Sequence, residues 1–353
     1  MGRRFVMWRT KKFKFGEDMM KKYMWIIALL LVGVMAVTAC KPTTPAAAPA
    51  AGEEPAKKIV IGYSPPTFEQ TDFYLFGQTG LEKKAEELGM DVEVIAKAPS
   101  THAAAEEQLR IVEDFITQGV DYLWVVPVSA EAGEPIYAAA YEAGIPIFAG
   151  HAIYENPDEL HIINVGTDFL KTGAAVGNWI ADNLENCEGP VGIIRGAAGE
   201  YDTWRVQSAI DALAAKCPNT VVYASDYTEW QTENALNQTK TLLTAHPDIK
   251  IIYGPASPLT MGIVPAIEEL GLVNKVKVVD YDFIPTVQAM CGQGTVVGGL
   301  AMFPYQYGEI VVTLIKDLEA GKTVPSVNEV PGVVVTCEEL STVFPQWYLD
   351  AAK

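Results

Sequence analysis

Histidine is scarce in this chain, four residues in 353, and His102, His151, His161 and His246 are scattered. With no Cys-x-x-Cys pair and no Cys/His spacing of the kind that holds zinc, a metal centre is not expected. Catalytic signatures are missing as well. There is no GxSxG, HExxH, SxxK or GxxxxGK[ST], and Gly192, Gly196 and Gly199 lack GxGxxG spacing. A nucleophile elbow, a metallopeptidase helix and a phosphate-cradling loop are therefore unsupported, and neither an enzyme nor a cofactor is expected. Positive charge is short too: 26 Lys and Arg stand against 44 Asp and Glu. Eight of the basic residues and two of the acidic ones fall within the first 40, leaving 18 against 42 in the body. Nucleic-acid affinity comes largely from Lys and Arg neutralising phosphates, so a body this acidic is not a nucleic-acid binder. What is present, 49% hydrophobic and 20% charged residues, is ordinary globular composition and excludes disorder and a multi-span membrane protein. The length suggests about two domains.

The first 40 residues read as an address. A basic stretch ending in Lys21-Lys22 precedes an apolar run at 24–37, which is 14 residues long. That is short of the roughly 20 that a membrane-spanning helix needs, and fits a signal-peptide core. The run closes in Val37-Thr38-Ala39-Cys40, which resembles a bacterial lipobox and makes Cys40 the expected lipidation site. Residues 41–56 (KPTTPAAAPAAGEEPA) have no large apolar side chain and should form an extended tether. A lipid at Cys40 would hold the body at the membrane on its extracytoplasmic side. Four cysteines remain, and four allow three pairings. Cys187 with Cys217 and Cys291 with Cys337 are the favoured pairs, because Cys187 and Cys217 flank one strand-helix unit and would meet at one end of a sheet. Unpaired thiols are the alternative.

From residue 58 onward short apolar runs alternate with helical stretches. Strands are expected at 58–63, 91–96, 122–126 and 146–149, with helices at 73–88, 103–118 and 131–142. The run Tyr122-Leu-Trp-Val-Val126 is apolar throughout, as a parallel strand covered on both faces would be. A second series follows, with strands at 191–194, 220–224, 249–253, 275–280 and 295–300 and helices at 203–215, 233–245, 259–270 and 285–290. A long helix at 307–319 and a β-branched tail at 327–336 close the chain. Two such series predict an α/β fold of two doubly wound parallel sheets.

Open α/β sheets bind ligands beyond the carboxyl ends of their strands. Those ends carry Ser64, Phe73, Tyr74, His151, Asp202, Trp204, Arg205, Trp230, Ser257 and Asp282, with Tyr201, Tyr227 and Tyr281 among them. Aromatic faces interleaved with a guanidinium and carboxylates suit a polyhydroxylated ring, whose C–H faces stack while charged groups take its hydroxyls. The competing reading makes the aromatics core, His151 structural and Asp282 a cap for the helix near Pro285.

In order along the chain stand Asp72-Phe73-Tyr74, Gly80, Ala85 and Gly89, Pro127, Gly144-Ile145-Pro146, a Leu242-to-Asp248 stretch and Val278-Val279-Asp280-Tyr281-Asp282. With these the sequence resembles the type I periplasmic binding proteins, the sugar-binding components of bacterial ABC importers, and ribose-binding protein among them. The resemblance implies a lobe of residues 57–164 plus 303–330 and another of 165–302 plus 331–353. Three crossings, near 164–166, 302–304 and 330–332, would form a hinge that closes on the ligand. It also implies stacking on Phe73, Tyr74 and Trp230, a polar role for Asp282, and an Arg position that falls on Trp204 or, shifted by one, on Arg205. The sequence departs from the ribose pattern at His151-Ala152, where the family has Asp-Arg, at Ala256-Ser257, where it has Asn-Asp, and at Met302, where it has Gln. The function so implied is a monomeric solute-binding lipoprotein that passes a pentose, hexose, deoxyhexose or similar polyol to a membrane permease. A sensor for a chemoreceptor or kinase and a binder of furanose-type signals are the alternatives.

Overall fold

The computed structural model describes residues 57–69 and 72–352, together with Phe5–Val6, a two-residue strand antiparallel to Val324–Pro325. Cys40, all of the expected tether and all of the expected signal except Phe5–Val6 lie outside the described residues.

In the first sheet β1 (Ile59–Ser64), β2 (Val92–Ala96), β3 (Tyr122–Val125), β4 (Ile147–Ala149), β5 (Ile163–Gly166) and β11 (Val327–Glu329) run in the order β11-β5-β4-β3-β1-β2, all parallel. The helices between them are α1 (Phe73–Glu87), α2 (Ala105–Gln118) and α3 (Ala130–Ala143). Three of their boundaries have a local cause. The Ser129 hydroxyl accepts the Ala132 N–H at the start of α3, and Gly119 and Gly144, with φ of 75° and 72°, end α2 and α3. β3 is buried along its whole length, as its unbroken apolar sequence requires.

The second sheet repeats the plan. Its strands are β6 (Val191–Ile193), β7 (Val222–Ala224), β8 (Ile251–Gly254), β9 (Lys277–Asp282), β10 (Val296–Ala301) and β12 (Val333–Thr336), in the order β12-β10-β9-β8-β6-β7. Only β12 is antiparallel to its neighbour. The helices are α4 (Phe169–Asn183), α5 (Glu200–Lys216), α6 (Thr232–Ala245), α7 (Ser257–Glu269) and the short α8 (Pro285–Gln288). α9 (Pro304–Glu319) returns to the first sheet and packs on α1. That contact is close because Gly80 and Gly308 lack side chains: a β-carbon on Gly80 would collide with the Tyr305 carbonyl, and one on Gly308 with the Gly77 carbonyl.

Two doubly wound parallel sheets match the fold class the sequence implied. The chain leaves the first sheet after β5, rejoins it with α9 and β11, and leaves it again into β12. β5 and α4 were not anticipated, and neither were two short helices after β12. The tail, grouped by sequence with the second lobe, continues as α10 (Leu340–Val343) and α11 (Gln346–Leu349), which rest on the first lobe as well. Cys187 is bonded to Cys217 and Cys291 to Cys337, with Cα separations of 5.3 and 5.6 Å.

Candidate functional site

In both sheets the order 2-1-3 reverses direction beside the first strand, the place where open α/β sheets bind ligands. The carboxyl ends of the two sheets meet there and enclose a cavity of about 270 Å³. Six of the ten side chains expected at a site line it: Phe73, Tyr74, His151, Arg205, Trp230 and Asp282.

Phe73 and Tyr74 form the first turn of α1, following Asp72. Their rings meet edge to face at 5.4 Å, and the Tyr63 hydroxyl donates to the Tyr74 carbonyl. Both are core residues by burial and wall residues by position, so the choice between those readings was not a real one.

Arg205 is the central cation. Its guanidinium lies between the rings of Phe169 and Tyr281, at 4.1 and 4.5 Å, donates through Nη1 to the Pro255 carbonyl at 2.9 Å, and stands 3.9 Å from Asp282. Burial disfavours its charge, but Asp282 and the surrounding tyrosines outweigh that and raise its pKa. Nε is buried with no protein partner. Nη2 lies 2.9 Å from His151 Nε2. Because arginine only donates, Nε2 must accept, and the ring carries its proton on Nδ1. Burial first, then Arg205 and His102, push the His151 pKa well below the usual range, so the ring is neutral.

Asp282 ends β9 with a positive φ of 85°. Its Oδ2 accepts the Ser257 N–H at the start of α7, not a donor of α8, which begins after Ile284. Burial lifts its pKa to about 6, against the pull of Arg205 and that N–H. Trp230, also at positive φ (58°), is pressed on Gly196, where a β-carbon would strike the indole.

Four expected residues are placed elsewhere. Ser64 is buried behind the site, where Gln108 Nε2 donates to its carbonyl and to that of Val126, tying β1 to β3. Asp202 is held by Arg195 Nε at 2.6 Å and the Gly196 N–H at 2.7 Å, and so braces the loop after β6. Trp204 is one residue from Arg205, about 100° around the helix, and lies outside the cavity beside Tyr201, which does line it. The Ser257 hydroxyl donates to Asp280 at 2.7 Å, leaving only its N–H for Asp282.

Other lining residues were not anticipated: Thr67 and Glu69 after β1, Ser100, Thr101 and His102 after β2, and Gln231 beside Trp230. His102 lies 6.2 Å from the Trp230 ring, facing it from the other lobe, and burial lowers its pKa to about 4. His102 follows β2 and so also stands at a strand's carboxyl end, the position that marks the other wall residues. The lobes also touch directly, through Tyr154 Oη and Tyr201 Oη at 2.7 Å and through Thr286, which donates to Asp72 at 3.3 Å. Among the described residues no cluster of His, Cys, Asp and Glu could hold a metal ion.

The family profile described as "periplasmic binding protein domain" matches residues 61–323. The chain is a type I periplasmic binding protein. It is 26% identical over 321 residues to the D-ribose/D-allose-binding protein of Pseudomonas aeruginosa, covering 88% of this chain and 97% of that protein. The D-allose-binding periplasmic protein of Escherichia coli is 27% identical, over 72% of this chain and 83% of its own length. An ABC transporter periplasmic solute binding protein from Actinobacillus succinogenes, solved with bound D-allose, is 27% identical with a TM-score of 0.72, over 80% of this chain and 99% of that one. These periplasmic binding proteins match this chain through both lobes.

Proposed function

We propose that this protein is the solute-binding component of an ABC importer, taking a monosaccharide or similar polyol into the cleft and presenting it to a membrane permease. The observation that carries this reading is the pairing of Arg205 with Asp282 inside a cavity walled by Phe73, Tyr74 and Trp230. A sugar hydroxyl can accept from the Arg205 guanidinium and donate to the Asp282 carboxylate, while the ring's C–H faces lie on the aromatics. Among the buried groups of the wall one cation balances one anion and the two imidazoles are neutral, and the exposed Glu69 adds negative charge, so the site favours an uncharged solute over a sugar acid. A volume of about 270 Å³ suits a single ring better than an oligosaccharide. The relatives' ligands, D-ribose, D-allose and xylitol, are neutral polyols of this size.

Export and lipidation at Cys40 complete the proposal and would place the protein, as a monomer, on the extracytoplasmic face of a membrane. Replacing Cys40 by Ala is expected to move the chain from the membrane to the soluble fraction, and an unchanged membrane fraction would remove the anchor. The site itself is tested by thermal melting of the full chain with pentoses, hexoses, deoxyhexoses, polyols and furanoses. A solute at roughly 100 times its Kd stabilises the folded state by about 2.7 kcal/mol, which shifts the melting temperature visibly. A selective shift that Arg205→Met abolishes supports the reading. No shift with any of them, in protein freed of carried-over solute by unfolding and refolding, overturns it.

A further inference from the structure

Residues beyond 323 lie outside the span matched by the family profile, yet they are built into the molecule at a mechanically sensitive place. The tail is tied to the second lobe twice, by β12 pairing with β10 and by the Cys291–Cys337 bond just after α8. A few residues later the same tail docks on the first lobe. Tyr348, fully buried, lies 4.5 Å from Phe76 of α1 and 5.4 Å from Tyr305 of α9. Trp347 lies 5.4 Å from Tyr305 and beneath Lys83 Nζ at 5.2 Å. Phe344 stacks on Tyr348 and touches Phe303, where the chain crosses between the sheets. The final turn, Asp350–Ala352, then packs back against α8.

α1 carries Phe73 and Tyr74, and α8 follows Asp282, so the tail joins the elements that bear opposite walls of the cavity. The Thr286–Asp72 hydrogen bond crosses between the same two elements. Any opening that draws α8 away from α1 must strip the tail from one of them. The covalent tie decides which contact yields, because the tail stays with the second lobe and its aromatic side chains leave Phe76 and Tyr305.

We propose that residues 337–352 are a disulfide-anchored clasp that limits opening of the cleft and biases the lobes towards the closed arrangement. It acts on lobe motion and does not depend on which solute occupies the cavity. Two properties follow: without solute the molecule opens less than the hinge alone would allow, and loss of either the aromatic docking or the covalent anchor widens it.

The test is small-angle scattering of the full chain without added sugar, comparing the wild type with Trp347→Ala and with Cys291→Ser combined with Cys337→Ser. Trp347 is only half-buried, so its replacement should leave the fold intact, which the melting curve checks. Both variants are expected to show a larger radius of gyration and a broader distance distribution. Profiles superimposable on the wild type for a folded Trp347→Ala chain would overturn the clasp. Widening with Trp347→Ala but not with a folded double serine variant would overturn the disulfide's part in it.

Discussion

Asp282 holds two roles at once, counter-ion to Arg205 and acceptor for the proposed solute, and burial sets its pKa at about 6. Solute affinity should therefore fall as the pH drops through about 6, because the neutral carboxyl no longer accepts with full strength. Folding responds in the other sense. A carboxyl with a raised pKa binds more protons folded than unfolded between its ordinary value and about 6, so its contribution to stability grows on acidification. His102, lowered to about 4, takes up fewer protons folded than unfolded below its ordinary 6.5 and loses stability over an overlapping window. His151, lowered by burial, adds to the second trend and Asp280, raised by burial, to the first, so a melting curve mixes them and calorimetric titration with the sugar from the melting screen is the cleaner measurement. Asp282→Asn should weaken binding about tenfold or more at neutral pH and flatten the acid limb. A limb that persists in the variant would assign the titration to another group. At this scale residue type and strand-end position picked out six residues that line the cavity. The choice between Trp204 and Arg205 was not legible in the sequence, because one residue along a helix is a turn of about 100°, and only the packing of α5 shows which points inward.

The elements that were missed have physical reasons for being missed. β5 has four residues, all buried, and Asn164 interrupts its apolar pattern. That side chain works as backbone would: Nδ2 donates to the carbonyls of Ala149 and Ala152, and Oδ1 accepts the Tyr154 N–H. A polar residue satisfied by neighbouring backbone looks, in sequence, like part of a loop. α4 is marked in the sequence, with Asp168 capping the N–H groups of Leu170 and Lys171 and with Phe169, Val176 and Ile180 on its buried face. The α1–α9 contact gives the sharpest prediction about elements. Gly80→Ala puts a methyl group into the Tyr305 carbonyl, and overpacking of this kind costs about 1–3 kcal/mol. Differential scanning calorimetry should show a melting temperature lower by several degrees. An unchanged value would mean that the helices do not approach so closely.

In the whole molecule, β-α repetition made the two-sheet architecture readable, whereas contacts between the lobes join residues that no local pattern relates. Tyr154, in the loop after β4, and Tyr201, in the first turn of α5, are 47 positions apart, and their hydroxyls meet at 2.7 Å, buried where the lobes touch. In an open form water would satisfy both hydroxyls, so the bond matters only on closure. Removing one hydroxyl leaves the other buried with its main partner gone, at a cost of about 1–3 kcal/mol, charged wholly to the closed state. Solute affinity falls by the fraction of closure lost, so Tyr154→Phe and Tyr201→Phe should each weaken sugar binding about tenfold. The double variant removes both members of this pair at once, so neither hydroxyl faces the other's absence, and Tyr137 Oη stays buried without a partner as in the wild type. The double variant should therefore bind more tightly than the product of the two single losses allows, giving a favourable coupling in a double-mutant cycle measured by titration calorimetry. Strictly additive losses would mean that the two hydroxyls do not meet when the cleft is occupied, and that closure is held by the His151–Arg205 contact and the solute instead.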